Sequence, residues 1–320
     1  MISIQKIIEH LSDCVSDPVP KYIFIREICK KSPPSLEYIN AYEEMKLSKW
    51  YLELIGEQWE DGSWGRFHSQ DSQAQKKQKF STTESALGRA RELSLTKDDP
   101  MIAKCLNKVE KYANGDETWT DRVEMHKDGG KSHLFCRPYV SAAVINTFDP
   151  NNPFIKPLRD TVVTSLRKAF ENGFFDEKVW EQEIREYRVP SIAGPGMYSS
   201  MLLRNTNCME DTLQRQYLDY IWNSKNGIYY VSSMPPADKR CLEDKRFFEW
   251  ISSLELLSGF SLFSEFMRNH ALPHLINEVG RIIDENVELP ISTRYSDNWR
   301  DKNKQKTDAI LRISRLIVKC

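Results

Sequence analysis

Arg66, His68 and Ser69, with Thr82, Thr83 and Glu84 at the opening of the next helical run, are the residue types of a polar binding or proton-transfer site. An arginine and the amide groups of a helix N-terminus can together hold an anion such as a diphosphate or a carboxylate. His68 can donate a proton near neutral pH, and Glu84 can act as acid or base beside it. The same residues allow a plainer arrangement, in which Arg66 and Glu84 form an ion pair that locks the loop. A second group follows Trp119: Thr120, Asp121, Arg122, Glu124 and His126, then His133 and Arg137. Asp121, Glu124 and His126 can converge on a metal or work as acid and base, because a carboxyl placed in an apolar pocket holds its proton to higher pH. A solvated loop whose charges compensate one another is the competing arrangement. Tyr229 and Tyr230, together with Phe247, Phe248 and Trp250, offer ring faces that can line an apolar cavity and stabilise a cation, or simply fill a core.

The elements that must position these groups are helices. Apolar residues recur at helical spacing over residues 3–13, 21–30, 36–55, 82–95, 99–113, 136–148, 154–172, 176–188, 208–223, 243–266, 269–286 and 304–318. Glycine, proline and asparagine turns separate them, and strands have little room. Asp98 and Asp99 precede Pro100 as at a helix start, where carboxylates offset the dipole; Glu243 and Asp244 read as a solvated turn. Residues 69–81 are polar and basic and read as an exposed loop ending at a helix N-cap. Just before that loop, residues 49–69 read KWYLELIGEQWEDGSWGRFHS, an amphipathic helix running into Gln58, then Asp61-Gly62, then Trp64. Gly62 can take a positive φ and turn the chain sharply, the Gln58 amide can bond carbonyls freed at the helix end, and Trp64 supplies a large apolar body between helices.

That order of helix, Gln58, Gly62 and Trp64 resembles the QW repeat of the terpenoid cyclases and protein prenyltransferases. Looser copies occur in YANGDETWTD, YIWNSKNGIYY and ENVELPISTRYSDNWR. With the C-terminal DNWRDKNKQKTDAILRISRLI, the chain from about residue 40 onward is similar to bacterial proteins with prenyltransferase and squalene-oxidase type repeats. The resemblance implies an all-α fold, an α/α toroid over residues 36–320 with a helical extension at 1–35, and a central cavity for an apolar, isoprenoid ligand. In such a cavity Trp64, Arg66, Arg137, Tyr229, Phe248 and Trp250 would contact the ligand, and His68, Glu84, Asp121 and Glu124 would supply acid or base chemistry. The departures matter as much. Neither the D-x-D-D motif nor the D-D-x-x-D motif of those enzymes is present, so the catalytic acid and the Mg²⁺ ligands they use are missing. A non-catalytic toroid that binds a peptide or protein partner is therefore the alternative. The zinc site of protein prenyltransferases finds only Asp238, Cys241 and Glu249 at similar positions, an unusual donor set for a tetrahedral ion, so no metal or cofactor is expected.

Composition narrows the partners. Forty-five basic and 46 acidic residues leave a net charge of -1, which provides no bulk field for nucleic acid or an anionic membrane. No apolar run approaches the roughly 18 to 20 residues of a membrane span. The opening MISIQKIIEHLSDCV lacks a long apolar segment with a small-residue cleavage site, and the seven cysteines are scattered without C-x-x-C spacing. A cytoplasmic protein with reduced thiols is the expectation.

Overall fold

The computed structural model describes residues 2–68, 78–117, 131–242, 246–284, 289 and 293–320. Among the described residues the fold is all-α, with fifteen α-helices and no strand beyond one isolated bridge between Ile228 and Ser232. In chain order they are α1 (Ile4–Cys14), α2 (Pro18–Ile23), α3 (Leu36–Lys46), α4 (Lys49–Glu57), α5 (Thr83–Glu92), α6 (Pro100–Ala113), α7 (Lys131–Phe148) and α8 (Lys156–Ala169). There follow α9 (Glu177–Arg185), α10 (Met197–Leu203), α11 (Asp211–Asn223), α12 (Phe247–Leu257), α13 (Phe263–His270), α14 (Leu272–Asp284) and α15 (Lys302–Ile317). No helix of the described residues is long and apolar enough to cross a membrane.

The chain forms two compact units. The first comprises Met1–Gly56, Leu242–Ser258 and Phe263–Cys320, and the second Glu57–Cys241 and Gly259–Leu262. In the first unit α15 is the buried axis, carrying Ala309, Ile310, Leu311, Ile313, Leu316 and Ile317 into contact with α1, α12 and α14. Its two arginines tie the helix to its neighbours. Arg312 grips Glu255 of α12 with two bonds of 2.8 Å, and Arg315 grips Glu27 at 2.7 and 2.8 Å. Asp308, fully buried on α15, accepts the Tyr295 and Ser296 amides and the Ser296 hydroxyl, and so pins the segment before the last helix.

In the second unit α7 is the central helix and packs on α5, α6, α8 and α10. Fully buried Ala142 and Ala143 let neighbours approach it closely. The carbonyls that the end of the short helix α10 leaves without an intrahelical partner are satisfied from neighbouring helices: Asn146 of α7 donates to Met201 and Arg204, and Arg159 of α8 donates to Leu202.

Three differences from the sequence reading stand out, and the first two have causes in the hydrogen bonding of the residues at the break. The run 36–55 splits into α3 and α4 because Leu47 and Ser48 close a tight turn onto Glu44 and Met45, after which the Ser48 hydroxyl accepts the Tyr51 amide. The run 243–266 splits because residues 259–262 bond elsewhere: the Gly259 carbonyl accepts the Asn205 amide, and Gln214 accepts from Ser261 and Leu262. Helix α10 has no counterpart in the sequence reading at all.

Candidate functional site

The site grows from the turn after α4. Asp61 Oδ1 accepts the Ser63 amide and hydroxyl at 3.0 and 2.6 Å, which folds the chain back at Gly62 with φ of +90°. Gln58 Nε2 donates to the Gly62 carbonyl within the turn and to the Met101 carbonyl of α6, both at 2.9 Å. The glutamine thus joins the turn to a neighbouring helix. Trp64 is fully buried and its amide donates to the Thr83 hydroxyl, so it belongs to the core.

Residues 66–67 then run beside the start of α5. The Thr83 amide donates to the Arg66 carbonyl, the Glu84 amide to the Phe67 carbonyl, and the Ser85 amide to the Thr82 hydroxyl of the capping box. These are the first-turn N–H groups that the sequence offered as an anion cradle. They are spent on the chain itself.

The same zipper sets His68 against Glu84. Nδ1 of His68 lies 2.7 Å from Glu84 Oε2, with about a quarter of each side chain exposed. The second carboxylate oxygen, Oε1, accepts the hydroxyl of Tyr198 at 2.7 Å, and the same hydroxyl oxygen lies 3.4 Å from His68 Nδ1. Burial first, and then the Glu84 charge, push the Tyr198 phenol well above its ordinary acidity range, so it stays a donor. Tyr198 comes from α10, whose neighbouring serines, Ser199 and Ser200, both bond the buried Tyr217 hydroxyl.

Tyr229 and Tyr230 add to the field that disfavours ionisation of Tyr198. They stand on a tight turn closed by the Ile228–Ser232 bridge, are 74% and 62% exposed, and hold their ring centroids 4.0 Å apart.

The remaining candidates fall in other places. Arg137 is buried on α7, directly before the internal Pro138. Phe248 and Trp250 are buried on α12 in the first unit against Phe247, and Arg312 lies over the Phe248 ring. Ser69, Asp121, Glu124 and the side chain of His133 lie outside the described residues, as do Glu243 and Asp244. Asp99 caps α6 by accepting the Met101 amide. Asp238 is taken up by Arg240 and the Cys241 thiol donates to the Pro235 carbonyl; no group of three or more His, Cys, Asp or Glu among the described residues is arranged to hold a metal.

Sequence reasoning passed over two features. One is Tyr198. The other is an open groove of about 360 Å³ along α8 and α9, lined by Asp160, Thr161, Thr164, Ser165, Lys168, Glu183 and Arg188. Its cations are already engaged, since Lys168 and Arg188 both bond Glu183 Oε1 and Ser165 bonds Oε2. The Glu84 cluster is the better site: a carboxylate, an imidazole and a phenol from three chain segments, partly open to solvent. Comparison with known protein families, with characterised proteins and with solved structures finds no match to this chain.

Proposed function

We propose that this chain is a cytoplasmic ligand-binding protein of the terpenoid cyclase and prenyltransferase type, an α/α toroid, in which the Glu84 cluster receives the polar end of an apolar, isoprenoid ligand. The observation that carries the reading is the convergence of His68, Glu84 and Tyr198 within 3.4 Å. Support for the scaffold comes from the turn just before it, where Gln58 joins two carbonyls and Trp64 is buried, the stapling role that the QW resemblance assigns to them. An imidazole beside a carboxylate can accept and return a proton, so the cluster has the means for acid–base chemistry as well as for binding.

The test is native mass spectrometry with lipid extraction of freshly purified protein. A co-purifying isoprenoid that disappears in Glu84→Ala, with the fold intact by circular dichroism, supports the reading. Protein that is empty and takes up no prenyl compound refutes it. A second reading, a peptide or protein partner, is favoured by the exposed Tyr229–Tyr230 pair, since paired tyrosines combine apolar area with hydroxyls. Loss of partner capture in Tyr229→Ala/Tyr230→Ala, without effect on lipid content, would favour that reading.

A further inference from the structure

We propose that the groove along α8 and α9 binds an acidic peptide, with one carboxylate of the peptide between Lys168 and Arg188 and its backbone N–H groups along Thr164 and Thr161. The inference is independent of the Glu84 cluster and of any isoprenoid ligand.

Glu183 builds the cationic end. Its side chain, only 4% exposed, accepts Lys168 and Arg188 on Oε1 and the Ser165 hydroxyl on Oε2. A carboxylate with three such donors stays ionised and draws both cations to one point. Lys168 Nζ and Arg188 Nη1 stand 2.9 and 2.7 Å from the shared oxygen, so they are no farther apart than these two bonds laid end to end. One incoming carboxylate can reach both. The cations, unlike the carboxylate that holds them, face solvent, with 42% and 48% of their side chains exposed. Lys168 gives Glu183 one of its ammonium hydrogens, and Arg188 gives one N–H to Glu183 and one to Glu186. Further donors remain on both groups.

Charge then selects the anion. Glu183 cancels one of the two cations from below, and Glu186 offsets part of the other at the rim. A carboxylate with a single negative charge matches what is left, whereas a phosphate dianion would meet two fixed carboxylates with no cation to spare.

The rest of the groove takes donors. Thr164 and Thr161 precede Lys168 by one and two turns on the same face of α8, and their hydroxyls donate to the Asp160 and Pro157 carbonyls. Their oxygens are left as acceptors. An extended peptide supplies both halves of the match, an acidic side chain and regularly spaced N–H groups beyond it.

The test is a ¹H–¹⁵N NMR titration of the full chain, reading the Arg188 Nε–H and the amides of residues 161–168. The probes are a capped pentapeptide with glutamate between pairs of glycines, and the same peptide with glutamine or phosphoserine at the centre. The glutamate peptide should move these signals, the glutamine peptide should not, and phosphoserine should bind no more tightly than glutamate. Thr164→Glu places a competing charge one turn from Lys168 without touching Glu183 or its donors, and should weaken binding about tenfold. Thr161→Val/Thr164→Val removes the acceptors and should weaken it about fivefold. Unchanged amide signals away from the groove establish that each variant folds. A glutamate peptide that moves nothing makes the cluster an internal staple alone and overturns the proposal. So does an equal response to the glutamine peptide, tighter binding of phosphoserine, or undiminished binding in either variant.

Discussion

Replacing Gly62 by alanine separates two costs that a glycine in a turn usually hides. Gly62 has φ of +90°, and a Cβ built there would lie 2.6 Å from the Lys104 carbonyl oxygen and 2.8 Å from its carbon, both backbone atoms of α6. Gly115, in the same compact unit, has nearly the same φ of +85° with nothing within 4 Å of its Cβ position. Each substitution incurs the left-handed backbone penalty, about 1–2 kcal/mol. Only Gly62→Ala also forces the turn away from α6. Overpacking of this kind costs about 1–3 kcal/mol, and the displacement strains the two Gln58 bonds to Gly62 and Met101, worth about 1 kcal/mol each. Gly115→Ala should therefore lose about 1 kcal/mol, and Gly62→Ala about 3 kcal/mol or more. Urea unfolding followed by tryptophan fluorescence measures both, with buried Trp64 two residues from the change. Losses equal to within about 0.5 kcal/mol would refute the argument, because the close approach to Lys104 would then contribute nothing.

Two buried carboxylates should give opposite pH signatures. Burial disfavours the charge on Glu183, but the bonds from Lys168 and Ser165 with the field of Arg188 outweigh it and hold the carboxyl below its ordinary value of 4.5. Its stabilisation is present above that value and lost as pH falls through the lower folded-state value, so Glu183→Gln, which should cost about 2 kcal/mol at neutral pH, should approach the wild type in acid. For Asp308, burial outweighs the bonds from Ser296 and Tyr295, and Asp17 adds repulsion, which pushes its carboxyl from 3.8 up to about 6. Here the folded state holds the proton more tightly, so stabilisation is complete below 3.8 and lost as pH rises through about 6. A rise of about two units is worth about 3 kcal/mol. The stability of the wild type relative to Asp308→Asn should therefore fall by about that amount between roughly pH 4 and pH 7 in urea titrations; a difference that stays flat or grows over this range sinks the assignment.

Helices with a repeating apolar face were legible in the chain because they bury that face whatever lies opposite: the run read at 99–113 is α6, Pro100–Ala113, and the one read at 304–318 is α15, Lys302–Ile317. The meeting of His68 and Glu84 was within reach too. They are 16 residues apart, and a loop that returns to its own helix start has carbonyls for the amides of Thr83 and Glu84. What the loop gives to those amides it denies to an anion, and that consequence needed the structure. Tyr198 was out of reach for a different reason. Its helix has only seven residues, follows Gly194-Pro195-Gly196, and buries five of the seven, Tyr198, Ser199, Ser200, Leu202 and Leu203, so it shows no alternation of wet and dry faces. It holds together through Asn146, Arg159 and Tyr217 on three other helices. Ser199, three residues after Gly196 and bonded back to its amide, is the one local mark of a helix start. The hydroxyl that orients the cluster therefore lies 114 residues from the carboxylate it serves, and its placement is a property of packing around α7 rather than of any motif.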